Sequence, residues 1–506
     1  MSLARVPTRA QVGITAPEVT VEVHLSNGLP GFCIVGLPET SVKEAKERVR
    51  SALVNSGFLF PEQRITVNLA PADLPKDGGR FDLAIAMGIL VASGQLPSDA
   101  ILNKEFFGEL ALNGELRGIT AILPSVIAAT KAQRVCYLPQ DNDAVASLAG
   151  DSRRVAVSSL LSLWSGLIGQ SQLAVNLRYD DELSVQDNGQ QYIDMADVKG
   201  QPGAKRVLEI AAAGSHNVLF LGPPGTGKSM LAQRLPTIMP AMTEQEALET
   251  ASIYSILGKQ INQQNWKTRP FRAPHHTCSA VALVGGSSNP KPGEISLSNH
   301  GVLFLDELPE FERKVLDSLR EPMETGVVTI SRAARQVDYP ANFQLIAALN
   351  PSPTGCYSDK RASPDQVLRY LAKISGPFLD RIDLQIELPR LNTAELQSQC
   401  PGEPSELIRV RVEQAQSIAL QRQGKSNDKL SVRELNQVCQ LAQGELDFLG
   451  KAAEKLQLSP RSYHRVIKVA RTIADLSQEP QIRLEHLKEA LSYRALERLL
   501  QQLSQY

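Results

Sequence analysis

Gly222-Pro223-Pro224-Gly225-Thr226-Gly227-Lys228-Ser229 sets glycines, a lysine and a hydroxyl in the order G-x-x-x-x-G-K-[ST]. Glycines let consecutive backbone N–H groups turn towards one β-phosphate. Lys228 then reaches the β- and γ-phosphates, Ser229 ligates Mg²⁺, and a helix beginning at the loop adds a favourable dipole. The flanks suit this chemistry: Asn217-Val218-Leu219-Phe220-Leu221 reads as a strand and Met230 to Leu235 as the start of a helix. Further along, Gly301-Val302-Leu303-Phe304-Leu305-Asp306-Glu307 is an apolar strand ending in two carboxylates. Asp306 suits the Mg²⁺ shell, and Glu307 suits the orienting and deprotonating of an attacking water. A third apolar run, Phe343 to Leu349, ends at Asn350, whose amide could hold that water near the γ-phosphate. Together these residues predict hydrolysis of ATP with Mg²⁺.

The elements that must position them follow from periodicity. Residues 194–390 alternate apolar strands with helical stretches, the pattern of a parallel sheet, and contain every residue named so far. Residues 391–506 are helical throughout: Val466, Ile467, Ala470, Ile473 and Ala474 share one face, and Leu487, Leu491, Leu496, Leu499, Leu500 and Leu503 line another. Residues 1–168 predict a compact α+β domain. Val19 to Val23 and Arg64 to Leu69 alternate at period two, and Val42 to Asn55 is amphipathic, ending before Gly57. Leu83 to Leu96 reads as a buried core helix, too short to span a bilayer and interrupted by Gly88 and Gly94. Between these parts, residues 169–193 turn rich in Asn, Gln, Asp and Gly and read as a linker. The fold class expected is α/β: a parallel-sheet P-loop core with an N-terminal α+β domain and a C-terminal helical lid.

Composition narrows the partners. With 53 basic and 54 acidic residues the net charge is −1, so any surface for nucleic acid must be a local patch, groove or pore. The six cysteines are scattered without a C-x-x-C pair, which argues against a disulfide scaffold and for a reducing compartment. The N-terminus lacks an apolar signal core. A cytoplasmic protein without a membrane partner is expected.

Phe271-Arg272-Ala273-Pro274-His275-His276, Pro292-Gly293-Glu294-Ile295-Ser296-Leu297, Leu308-Pro309-Glu310-Phe311 and Ala470-Arg471-Thr472-Ile473-Ala474-Asp475 carry a resemblance over nearly the whole chain. The chain resembles the magnesium-chelatase-like AAA+ ATPases. The resemblance makes the Gly222–Ser229 loop Walker A, Asp306 and Glu307 Walker B, and Asn350 sensor 1. Arg381 looks like an arginine finger that reaches the ATP site of the next subunit, its alternative being an ion pair with Asp380 or Asp383. Arg461 resembles sensor 2, with Arg465 as the alternate. Gly200 and Gln201 stand where related ATPases contact the nucleotide base.

A finger acting in trans implies a ring, and the family implies a homo-hexamer. Two insertions would line its centre, about His275 to Asn299 and a hairpin over Val327 to Tyr339. The related replicative helicases touch DNA with this hairpin, so Arg332 and Arg335 become candidate phosphate contacts; a plain solvated hairpin is the alternative. His275 and His276, adjacent in sequence, point apart on any regular element and are assigned a structural or loop role in preference to a metal site. Some relatives carry several cysteines after the sensor strand, whereas Cys356 stands alone here, so no structural zinc is expected. The N-terminal domain resembles the Lon-protease-like domain, but Arg80 occupies the nucleophile position, and the partner lysine would lie near Leu123, in Arg117 to Leu123, where no lysine stands. A covalent dyad needs both groups, so proteolysis is expected to be lost.

The resemblance implies a helicase promoting branch migration on single-stranded or branched DNA, in homologous recombination of incoming DNA, with recombination proteins as further partners. The competing readings are an ATPase subunit of a metal chelatase, a protein remodeller without DNA activity, an ATP-dependent protease, and a non-enzymatic scaffold.

Overall fold

The computed structural model describes residues 2–176, 193–259, 261, 266–286, 290–332, 335–355, 363–390 and 402–503. These divide into two compact units that are not contiguous in sequence. One comprises residues 1–186, 244–266 and 331–339, and the other 187–243, 267–330 and 340–506.

The first unit is built on a four-stranded sheet in the order Ser2–Arg9, Glu18–Ser26, Arg64–Ala70, Gly31–Val35. The first three strands are antiparallel neighbours and the last runs parallel to Arg64–Ala70. Alternation decides the buried face: Val19, Val21, Val23 and Leu25, with Ile65, Val67 and Leu69, all point into the core. The apolar stretch expected to be a core helix is one, over Asp82–Ala92, with all but one of its residues buried. The expected amphipathic helix is divided into Thr40–Lys43 and Ala45–Asn55. Its buried residues Ala45, Val49, Ala52 and Leu53 recur at three- and four-residue spacing.

The second unit carries a five-stranded sheet in the order Phe271–Arg272, Val302–Leu305, Gln344–Leu349, Val218–Leu221, Leu384–Glu387, parallel throughout. Val218–Leu221, Val302–Leu305 and Gln344–Leu349 are fully buried, as a sheet covered on both faces requires. Helices Pro202–Gly214 and Lys228–Ile238 join the same hydrophobic core as the C-terminal helices Ser405–Gln423, Pro460–Leu476 and Leu484–Ser492. The Ala470-to-Asp475 segment singled out in the sequence is structural. Asp475, buried, accepts a two-pronged bond from Arg422 (2.6 and 2.9 Å), one from Arg471 (3.1 Å) and one from Asn427 (2.9 Å). Thr472 adds a 2.8 Å bond to His216, which follows the first of the covering helices. A buried carboxylate is tolerated because its lone pairs are satisfied by cations and an amide.

Candidate active site

Parallel strands in register end side by side. Leu221 pairs with Leu349 and Leu305 with Ala347, so the residues that follow, Gly222, Asp306 and Asn350, meet at one edge of the sheet. The Gly222 N–H donates to Leu349 O (3.2 Å), fixing the start of the phosphate loop against the sensor strand. Lys228 begins the helix and donates from Nζ to Gly222 O (2.6 Å), Pro223 O (3.1 Å) and Asn350 Oδ1 (3.0 Å). Burial pulls its pKa down, opposed by the nearby Asp306 and Glu307. Ser229 Oγ donates to Asp306 Oδ2 at 2.8 Å, and Asp306 Oδ1 accepts from the Glu307 N–H at 2.9 Å. The predicted Walker A, Walker B and sensor 1 residues are therefore brought together.

Glu307 takes φ 51°, the left-handed region. For a residue with a Cβ such a turn costs about 1–3 kcal/mol, and it persists where the surroundings enforce it. Its side chain leaves the strand and is 54% exposed, while His276 Nδ1 lies 3.4 Å from its Oε2. His275 and His276 stack at 4.1 Å between ring centroids, and His275 Nδ1 bonds Thr277 Oγ1 at 2.9 Å. The pair expected in a structural or loop role thus lies beside the candidate base Glu307. A cleft of about 480 Å³ opens beside the pair Glu307 and Asn350, lined also by Glu310, Arg369, Tyr370 and Lys373. Arg369, Lys373 and the His276–Glu307 contact escape sequence reasoning.

The loop fits a triphosphate with Mg²⁺. Gly225 and Gly227 hold φ 80° and 87°, and a Cβ on either would meet nothing within 4 Å, so the backbone faces open space. Lys228, the helix N-terminus, and the Ser229–Asp306 pair face the same loop, the donor set for phosphate oxygens and a hard cation. Gln201 (φ 53°) occupies the N-cap position of the Pro202–Gly214 helix and donates from its side chain to Pro389 O at 2.9 Å, while Leu388 N–H bonds Leu221 O at 2.7 Å. Gly200 and Gln201 therefore stand next to the strand end that feeds the loop.

The arginines lie elsewhere. Arg381 donates to Arg320 O (3.1 Å) and Pro377 O, and pairs with Glu324 at 2.6 Å. The alternative ion pair with Asp380 or Asp383 is not formed: Asp383 is held by Arg465, and Asp380 accepts from Ser459 Oγ at 3.4 Å. Arg461, at the start of a helix capped by Ser459, is 63% exposed and 4.0 Å from the same Glu324. Arg465 is committed to Asp383, a buried carboxylate that also accepts from the Asn217 N–H at 3.0 Å. Burial alone would raise the Asp383 pKa, but Arg465, His216 and that N–H hold it well below the ordinary range. Strands Val327–Arg332 and Arg335–Pro340 form the expected two-stranded hairpin. The side chains of Arg332 and Arg335, like Cys356, fall outside the described residues.

Family models match three stretches: "Magnesium chelatase, subunit ChlI" over residues 194–396, "Subunit ChlI of Mg-chelatase" over 21–142, and "Magnesium chelatase, subunit ChlI C-terminal" over 402–494. The chain is 54% identical over 507 residues to Competence protein ComM of Haemophilus influenzae, covering 100% of both chains. It is 48% identical over 503 residues to YifB of Escherichia coli, covering 99% of this chain and 98% of that one. The chain belongs to the magnesium-chelatase-like ComM/YifB family. By contrast, the Magnesium-chelatase 67 kDa subunit of Heliobacterium mobile is 25% identical over 251 residues, 44% of this chain and 36% of that one. The full-length likeness to ComM and YifB takes in the first unit. There Arg80 is buried and donates to Thr120 O at 2.6 Å, its pKa pushed down to about 10 by burial, and Leu123 is wholly buried. Both residues are buried in the core.

Proposed function

We propose that this chain is an ATP-driven, ring-forming DNA motor, a helicase that promotes branch migration when incoming DNA is recombined, as in natural transformation. It acts as a homo-hexamer in the cytoplasm, on single-stranded or branched DNA, beside recombination proteins. Residues 1–168 keep a Lon-like fold without proteolysis, 169–193 link it to the motor at 194–390, and 391–506 form the helical lid.

One observation carries this reading. Lys228, Ser229, Asp306, Glu307 and Asn350 are linked at one sheet edge, whereas Arg381 and Arg461 gather around Glu324. A phosphoryl-transfer site whose candidate finger is engaged by Glu324 of its own chain is suited to completion by the next subunit. Lys228 and the loop N–H groups bind and orient the phosphates, Asn350 fixes the attacking water, and Glu307 takes its proton. Ser229 and Asp306 would hold Mg²⁺, which when bound would offset charge on the phosphate oxygens. Arg381 of one subunit then stabilises the charge that develops on the γ-phosphoryl group of its neighbour, with Arg461 as sensor. The hairpin ends at Arg332 and Arg335 supply two cations for a phosphate backbone, read without regard to sequence. The likeness to a competence protein supports incoming DNA as the substrate.

ATPase rate measured without DNA, with single strands, with duplex and with a four-way junction, at two salt concentrations, tests the proposal. The rate should rise most with the junction and lose that rise in high salt. No response to any DNA would favour an ATPase subunit of a metal chelatase or a protein remodeller, to which the shared ATPase stretch also points.

A further inference from the structure

Glu324 lies on the four-residue helix Pro322–Thr325, next to the hairpin that begins at Val327. Its carboxylate is half exposed, yet it is the anion against which the candidate finger is parked: Arg381 NH2 lies 2.6 Å from Oε1, and the Arg381 side chain is only 7% exposed. Arg461 NH1 lies 4.0 Å from the same oxygen. With Nε on Arg320 O and NH1 on Pro377 O, each nitrogen of the Arg381 guanidinium already has a partner in its own chain. A guanidinium in this state is turned inward and neutralised. It cannot serve another subunit's phosphate until the Glu324 contact is exchanged, because both anions compete for one fork of donors.

The connection from Glu324 to the hairpin is short and stiff. Gly326 takes φ 69°, its carbonyl accepts from the Ala341 N–H at 2.8 Å, and a Cβ there would meet Asn342 Oδ1 at 2.4 Å. Asn342 is in turn fixed by Asn299 Oδ1 (2.8 Å to its N–H) and by the His300 N–H (2.7 Å to its carbonyl). The two hairpin strands thus leave a single pinned base, with Glu324 two residues before it. Thr325, the residue after Glu324, ties this helical turn to the first strand: its Oγ1 accepts from the Val327 N–H at 3.2 Å.

We propose that Glu324 is a latch: it restrains the finger Arg381 in the subunit at rest, and a load on the 327–340 hairpin withdraws it so that Arg381 can serve the neighbouring site. The latch rests on reading Arg381 as a finger that acts in trans. Glu324 is thereby a positioning residue that makes a subunit's readiness to assist its neighbour depend on what its own hairpin holds.

Glu324→Gln keeps the size and an acceptor oxygen but removes the charge. Basal ATPase of the assembled protein should rise about three- to fivefold, the scale of a half-exposed ion pair, and the further stimulation by junction DNA should shrink by the same factor. The effect must also pass between subunits. Lys228→Ala/Glu324→Gln protein, unable to use its own site, should raise the turnover of wild-type protein mixed with it above the level reached with Lys228→Ala alone. A fall in basal rate, or a gain confined to the subunit carrying the substitution, would overturn the latch. Equal ATP binding and melting temperature exclude misfolding as the source of a fall. Arg381→Ala separates the two claims: loss of hydrolysis in that variant with no gain from Glu324→Gln leaves the finger and removes the latch, whereas full hydrolysis by Arg381→Ala removes both.

Discussion

Arg80 and Lys228 are both basic side chains buried beside glycine-bearing turns, one in each compact unit. Around Arg80 the turn is filled at Gly79, although Gly78 faces open space. A Cβ on Gly79 would meet Glu109 Oε2 at 2.5 Å, and the guanidinium donates to the Thr120 carbonyl. Around Lys228, Gly225 and Gly227 face open space, and a carboxylate pair and an amide from neighbouring strands converge on the ammonium and its loop. Residue type and a turn of glycines do not distinguish the two places. The difference is that parallel strands ending together deliver polar groups from distant sequence to the second turn, while the first is closed by its own domain's core.

The strongest way to break this contrast is Glu307→Gln. ATP binding should remain and turnover should fall about 100-fold or more, the scale of a lost general base. Near-normal turnover, measured with phosphate release, would remove Glu307 from its role.

A middle-sized effect separates the units by pH. Asp383 in the second unit has its pKa held below the ordinary 3.8. Its contribution to stability is therefore present above pH 3.8 and lost as pH falls below it. Asp82 in the first unit is pushed up to about 6 because burial outweighs its pairing with Arg48, so its contribution is lost as pH rises from 3.8 towards 6. Asp383→Asn, which leaves Arg465 beside a neutral group, should cost about 3 kcal/mol at neutral pH and flatten the acid limb of the second unit's unfolding. A variant that keeps that limb would dissociate Asp383 from it.

The smallest expected effect is that of Arg80→Met. It fills a similar volume without a buried guanidinium, and ATP turnover should stay at the wild-type level. A collapse of turnover in a folded variant would show that the two turns are not independent.

The phosphate loop and the Asp306–Glu307 pair were legible because their chemistry needs neighbouring residues in a fixed order on a strand. The parallel sheet and the helical C-terminal part were legible for the same reason, since periodicity is local. Gly94 ended the Asp82–Ala92 helix earlier than the apolar run suggested, through a left-handed turn at φ 78° that closes the helix. The partners of Arg381 were not legible. Asp380 and Asp383 are its sequence neighbours, but Asp383 faces Arg465 from another helix and Glu324 arrives from the base of the hairpin. The closeness of His276 to Glu307 was hidden likewise, because it depends on two strands becoming neighbours in the sheet.

The central claim is that ATP is hydrolysed at a site completed by the next subunit, and mixing two dead proteins tests it most directly. Lys228→Ala cannot bind the phosphates, and Arg381→Ala cannot assist a neighbour. Each alone should be inactive. Mixed and allowed to reassemble, they should recover hydrolysis, because an intact phosphate loop from one meets an intact Arg381 from the other. A mixture as inactive as its components, in rings shown to exchange subunits, would contradict the account.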